Sequence, residues 1–339
     1  MTNPPLAITG TGAVSPAGWG TAALLAALKS GNPITPTVIE RAHGSETITT
    51  PVLRVPTDGA AAPKFPRLRR TSPISKFAAA AAMEALGAER RAQCQNGEIR
   101  VGVIFTLTNG CVNYSNRFFG EVLADPSVAS PILFPETVFN APSSHLSAMI
   151  GSHAANDTLV GDGTGFFTGI DLAAEWILRN EVDSCLVVAS EEIDWLSAEG
   201  LRHYSRNYLP SEGAAAIYLE RAAGPVSLQQ LPDPVPFSFH SRTEASREIR
   251  NRLGEMPDNT LLVDGTVGID RFDRPELSTW ADWTGPRWSP RKILGESIGA
   301  SSALQVVAAV EAIKAGIVDN AIVTATGGNQ QAAGMLLRS

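Results

Sequence analysis

The chain has 339 residues, 44% of them hydrophobic, and a formal net charge of -7 at pH 7. That length accommodates one large domain or two ordinary ones around a substantial core, and the acidic balance gives no general nucleic-acid signature. No apolar run approaches the roughly 18 to 20 residues of a membrane span, and the start lacks a signal peptide's basic region and cleavage site, so a cytoplasmic location is expected. Pro5 to Gly10 predicts a strand entering a glycine turn, and Thr21 to Leu28 predicts a helix. After a proline-rich excursion comes a basic cluster, Lys64, Arg67, Arg69, Arg70 and Lys76. It reads either as a surface for an acidic partner or as a solvated helix face. Ser75 to Leu86, almost solid alanine, predicts a tightly packed buried helix, and Val101 to Phe105 the next strand. From Thr108 to about Ser152, mixed polarity and Pro126, Pro131, Pro135 and Pro142 predict a loop-rich excursion that shapes a pocket or a partner surface.

The second half of the chain repeats part of the first. Gly161 through Ser190 overlays Ser297 through Thr326 without a gap, at a constant offset of 136 residues. Gly163 meets Gly299, Ala173 meets Ala309, Glu175 meets Glu311, Ile177 meets Ile313, and Val182 and Asp183 meet Val318 and Asp319. Each copy reads as a tight glycine turn, a helix and a strand. Alternating apolar runs and amphipathic stretches predict an α/β fold. The duplication makes it pseudo-twofold, with an N-terminal half 1–224, carrying the 108–152 excursion, and a C-terminal half 225–339.

Five ordered motifs then become specific: Ile8 to Gly18; Ser130 to Pro135 with Asn140 beyond; Asp264-Gly-Thr266 with Asp273; Gly295 to Ala300; and Gly327-Gly-Asn329. In this order they resemble the β-ketoacyl-acyl-carrier-protein synthases, from end to end of the chain. The resemblance implies the thiolase-like fold, two pseudo-twofold halves in αβαβα layers. The chain is shorter than usual for that family between about 195 and 260, and Thr324-Ala-Thr326 stands where the family carries a gating phenylalanine before the final glycine turn.

The family's condensation needs a cysteine thiolate at a helix N-terminus and two histidines. Aligned back from Ile170, the nucleophile slot falls on Gly163, and the histidine slots fall on Asp264 and Glu296. Glycine has no nucleophile, and a carboxylate replaces a neutral imidazole donor only when it is itself protonated. None of His43, His145, His153, His203 or His240 falls in these slots, and Cys94, Cys111 and Cys185 read as reduced structural thiols with neither disulfides nor a metal site. Thr164, one residue past the slot, would need a one-residue slip and a base for its hydroxyl, and with Asp162, Asp264 and Glu296 belongs to the possible altered site. In the family's geometry Asp264 and Glu296 face each other with Asp162 nearby. They then form either an altered acid/base or cation-binding site, or carboxylates that cap backbone amides and pair with Arg291 or Lys292.

By its resemblance the chain is expected to be unable to condense alone, and to act like a chain length factor in fatty acid or polyketide biosynthesis. That role implies an active ketosynthase partner in a heterodimer and contact with acyl carrier protein, to which Lys64, Arg67, Arg69 and Arg70 are assigned. No cofactor, metal, nucleic acid or membrane span is expected. The alternatives are an enzyme of altered chemistry on an acyl substrate, using Asp264 and Glu296, and a homodimer that binds acyl groups or acyl carrier protein.

Overall fold

The strand predicted from Pro5 is Leu6–Ser15, and two of its glycines set how closely a helix approaches it. In the computed structural model, which describes residues 5–57, 62–238 and 240–339, a Cβ on Gly10 would stand 1.9 Å from the Ala85 carbonyl oxygen. One on Gly12 would stand 1.9 Å from that of Ala81. The alanine run forms the helix Pro73–Gln95, whose Ala78, Ala81, Ala82 and Ala85 are buried. This helix outruns the predicted Ser75 to Leu86. It continues past Gly87, whose φ of 74° interrupts the helical path and suits glycine alone at no steric cost.

The same strand arrangement occurs twice in one large mixed sheet. Leu6–Ser15, Gly213–Arg221, Ser184–Glu191, Val101–Leu107 and Asn156–Val160 pair in that order, antiparallel at the first two junctions and parallel at the last two. Ser227–Gln230, Gln331–Arg338, Asn320–Thr326, Thr260–Val263 and Arg287–Trp288 repeat both the order and the pairing senses. The two sets join where Ala7 pairs with Ser227.

The repeat seen in the sequence supplies the middle layer. Its offset carries the helix Gly165–Leu178 onto Ser301–Lys314 end for end. In the latter every residue but Glu311 and Lys314 is buried. A helix that is apolar all round has to be covered on every side. Here Ser301–Lys314 packs on Asn320–Thr326 of its own set and on Leu6–Ser15 and Gly213–Arg221 of the other, while Gly165–Leu178 packs on Ser184–Glu191 and reaches Gln331–Arg338. The helix Pro73–Gln95 covers the outer face of one set and Arg242–Leu253 that of the other, so the layers run αβαβα.

Two segments depart from the expectations. The 108–152 excursion contains the helices Val112–Ala124 and Ala141–Ile150, with a short 3-10 turn, Phe134–Glu136, between them. Its prolines fall in turns and in the first turn of Ala141–Ile150, where a missing N–H breaks no helical bond. The proline-rich stretch after the first helix holds a separate hairpin, Thr37–His43 with Glu46–Val52. No helix of the described residues is long and apolar enough to cross a membrane.

The close approach at Gly12 sets a first prediction. Gly12→Ala forces backbone apart in a packed core and is expected to lower stability by about 2 kcal/mol. The urea midpoint should fall while the slope of the transition stays constant.

Candidate functional site

The turns that open the two central helices meet at a cavity of about 490 Å³. Asp162 and Gly163 reach it from one turn and Glu296 and Ile298 from the other, while Gly327, Gly328 and Asn329 close it from the final glycine turn. Tyr208, Arg242, Phe272 and Arg291 complete the polar and aromatic lining. None of the three cysteines or five histidines lines it. At Gly163 a Cβ would stand 3.4 Å from both Arg291 Nη2 and the Ile298 carbonyl oxygen. Gly163 therefore faces a guanidinium.

The predicted carboxylates are placed as turn-builders. Glu296 accepts from Ile298 N (2.8 Å), Ser301 Oγ (2.7 Å) and Arg291 Nη1 (3.2 Å). Its bond to Ile298 holds that β-branched residue at φ 43°, a conformation such side chains rarely adopt. Asp264 is fully buried and does not line the cavity. It accepts from Thr266 N (2.9 Å), Thr266 Oγ1 (2.5 Å) and Ser289 Oγ (3.1 Å), and pairs with Arg287. The expected facing pair of Asp264 and Glu296 is thus corrected. Each carboxylate is turned to its own backbone turn and its own arginine, and no contact joins them. Asp162 accepts from Thr164 N (3.0 Å), Thr164 Oγ1 (2.6 Å) and Gln330 N (3.2 Å), and lies flat on Gly327, where a Cβ would fall 2.0 Å from Oδ2. Thr164 is fully buried, its hydroxyl spent on Asp162 and reached by Gln331 Nε2 at 3.1 Å. It is not presented to the cavity as a nucleophile. Among the described residues no group of three or more His, Cys, Asp or Glu is arranged to hold a metal ion.

Sequence reasoning missed two features. Tyr208 and Arg242 lie in the segment read as trimmed. Ser241 and Glu244, three residues apart, form a capping box that starts the helix Arg242–Leu253 and puts Arg242 in its first turn. That spacing is visible in the sequence. Behind the cavity are buried carboxyls with no sequence signal. Glu191 accepts from the N–H groups of Thr108 and Asn109, two residues that line the cavity, yet burial outweighs these bonds and pushes its pKa up to about 8. Glu276 accepts from Gly265 N (2.9 Å) and Thr326 N (2.7 Å). Burial and the nearby Asp264 charge raise it as well.

The basic cluster lies elsewhere. Lys64, Arg67, Arg69 and Arg70 are exposed, and none is in an ion pair among the described residues. Lys64 and Arg67 join Arg91 on a second cavity of about 550 Å³. The helix Val112–Ala124 and the turns after it expose Phe119, Leu123, Val128, Ile132 and Phe134. Val160 is exposed on Asn156–Val160, the edge strand of the N-terminal set.

Two outcomes follow from this geometry. Cys94, Cys111 and Cys185 are buried, and desolvation raises the pKa of all three, that of Cys185 to about 12. The folded chain should resist iodoacetamide at pH 8, and Gly163→Cys should gain one modification by mass spectrometry, since its thiol reaches the cavity. For Glu191, the folded state keeps a proton that the unfolded chain has already lost between the ordinary carboxylate range and about pH 8. Its contribution therefore lowers stability as pH rises through that window. Urea midpoints at pH 5 and pH 8 should differ less in Glu191→Gln than in the parent chain.

No protein-family model matches the chain, and no curated protein matches it in sequence. Solved structures do. It is similar to the ishigamide ketosynthase/chain length factor, at 19% identity and TM-score 0.82 over 98% of this chain and 99% of that one. A ketosynthase in complex with its chain length factor from Xenorhabdus doucetiae matches at 12% identity and TM-score 0.83, over 99% and 98%. A β-ketoacyl synthase from Burkholderia phymatum matches at 16% identity and TM-score 0.80, over 99% of both chains. The duplicated strand order, the paired central helices and these full-length matches establish that the chain has the thiolase-like fold of the ketosynthases.

Proposed function

We propose that the chain is a ketosynthase-like subunit that does not condense by itself and acts, as a chain length factor does, beside an active β-ketoacyl synthase in fatty acid or polyketide biosynthesis. The observation that carries this reading is a complete scaffold around a cavity without thiol or imidazole, where Gly163 stands in the nucleophile slot and Glu296 is spent on a turn. Glycine supplies no nucleophile, so the usual acyl-enzyme has no atom on which to form. Similar structures include complexes of a ketosynthase with its chain length factor and of an acyl carrier protein with its ketosynthase.

A partner surface is supported by two features. The strand Asn156–Val160 ends the sheet with an unpaired edge, and such edges are commonly covered by another chain. The helix Val112–Ala124 and the turns after it also expose Phe119, Leu123, Val128 and Ile132, apolar side chains that suit an interaction site. Lys64, Arg67, Arg69 and Arg70 suit the acidic surface of an acyl carrier protein, with Lys64 and Arg67 at the rim of the second cavity. Such a subunit works in the cytoplasm.

Co-expression with the ketosynthase encoded nearest to this chain tests the reading. A 1:1 complex is expected, with products that differ in length from those of the ketosynthase alone. Val160→Asp and Phe119→Asp should each weaken the complex ~tenfold or more, since a buried unpaired charge at an interface is costly. A stable monomer that ignores the ketosynthase, or condensation by this chain alone, defeats the proposal. A homodimer through the same edge would make it a self-pairing binding protein.

A further inference from the structure

The hydrogen-bond balance of the main cavity is one-sided. Its carboxylates are supplied: Asp162 and Glu296 by the donors given above, and Asp273 by the N–H groups of Val267 (2.7 Å), Gly268 (2.8 Å) and Ile269 (3.1 Å). Its cations are not. Arg242 uses only Nε, which donates to the Gly327 carbonyl oxygen at 3.2 Å, and is in no ion pair among the described residues. Its guanidinium lies over the Phe272 ring, 5.6 Å from the centroid. Arg291 is buried, with Nη1 on Glu296, Nη2 on Gln305 at 3.1 Å and Nε without a partner among the described residues. The Tyr208 hydroxyl makes no hydrogen bond there either, and burial pushes its pKa up to about 12, so it stays a donor. A guanidinium only donates. The unspent charged groups around this cavity are therefore cationic donors, beside the uncharged side chains of Tyr208, Asn109 and Asn329.

The wall also carries the apolar Leu196, Leu201 and Val267, and Gly163 leaves the space beside Arg291 without a side chain. We propose that the cavity binds, without a covalent bond, a small carboxylic acid with an apolar tail, its carboxylate held by Arg242 and Tyr208 beside Arg291 and its tail lying along Leu196, Leu201 and Val267. A planar carboxylate matches the fork of a guanidinium, which an uncharged thioester does not. A cavity of about 490 Å³ falls in the range of small-molecule sites. The proposal concerns the cavity discussed above, goes beyond the partner-subunit reading and stands without it, because the ligand binds this chain itself.

Calorimetric titration of the purified chain with sodium octanoate, octanamide and inorganic phosphate tests it. Octanoate is expected to saturate one site, octanamide to bind ~tenfold more weakly or worse, and phosphate not to compete. Arg242→Ala should lose ~tenfold or more, with Arg242→Lys between it and the parent, because a lysine keeps the charge and loses the fork. Thermal unfolding shows which variants fold. If Arg242→Ala does not, Tyr208→Phe replaces it, with a several-fold loss expected for one missing hydrogen bond. Equal binding of octanoate and octanamide, displacement by phosphate, full affinity in a folded Arg242→Ala or Tyr208→Phe, or no octanoate binding at millimolar concentration overturns the proposal. Complex formation with the ketosynthase, measured in the same preparations, fails or holds separately.

Discussion

The whole molecule depends on packing two helices side by side between the two strand sets of its large sheet. Ser301–Lys314 has too little polar surface to face water, so both strand sets must close on it, while Gly165–Leu178 keeps Thr168, Asp171, Glu175 and Leu178 on an exposed face. Once they are fixed, so are the turns at their N-terminal ends, and those turns come together because the helices do. The cavity is a by-product of this packing. It also absorbs strain: Ile298 sits at φ 43°, a conformation costing on the order of 1–3 kcal/mol, and Glu296 holds it there through the Ile298 N–H.

That dependence explains why the carboxylates at this end of the fold serve its architecture. The positions aligned with imidazoles hold carboxylates that accept backbone N–H groups, hydroxyls and arginine donors, work that stabilises turns whether or not a reaction occurs. Buried charge of this kind persists only where donors surround it. Glu276 and Glu191 carry the same logic further inward, with raised pKa values as the remaining cost of desolvation. The charged groups near the cavity thus divide into carboxylates committed to architecture and arginines with donors to spare.

The layered fold was legible because it is written twice. Two segments that must fill equivalent buried positions keep the same apolar pattern, and Ala173 over Ala309 or Ile177 over Ile313 is the trace of that demand. The glycine turns at Gly163 and Gly299 were legible for the same reason, since turns opening such helices hold fixed register. The direction of the Asp264 side chain was not, because it depends on Arg287, more than twenty residues on, arriving at the same turn. The helix Val112–Ala124 escaped notice because none of its residues is fully buried, and an apolar face turned outward does not produce a core-facing stripe. Arg242 and Tyr208 reach the cavity from different elements, and only tertiary packing brings them together.

The contact between Asp162 and Gly327 has a consequence for how such a cavity changes over time. The carboxylate occupies the space any side chain at 327 would need, and the two positions belong to opposite halves of the duplicated chain. Position 327 is not free to drift alone: a bulkier residue there enters only once the acid at 162 has shortened or left. Divergence of this wall is thus ordered: a side chain at 327 follows a change at 162, and sequences with this geometry that keep the acid are expected to keep the glycine.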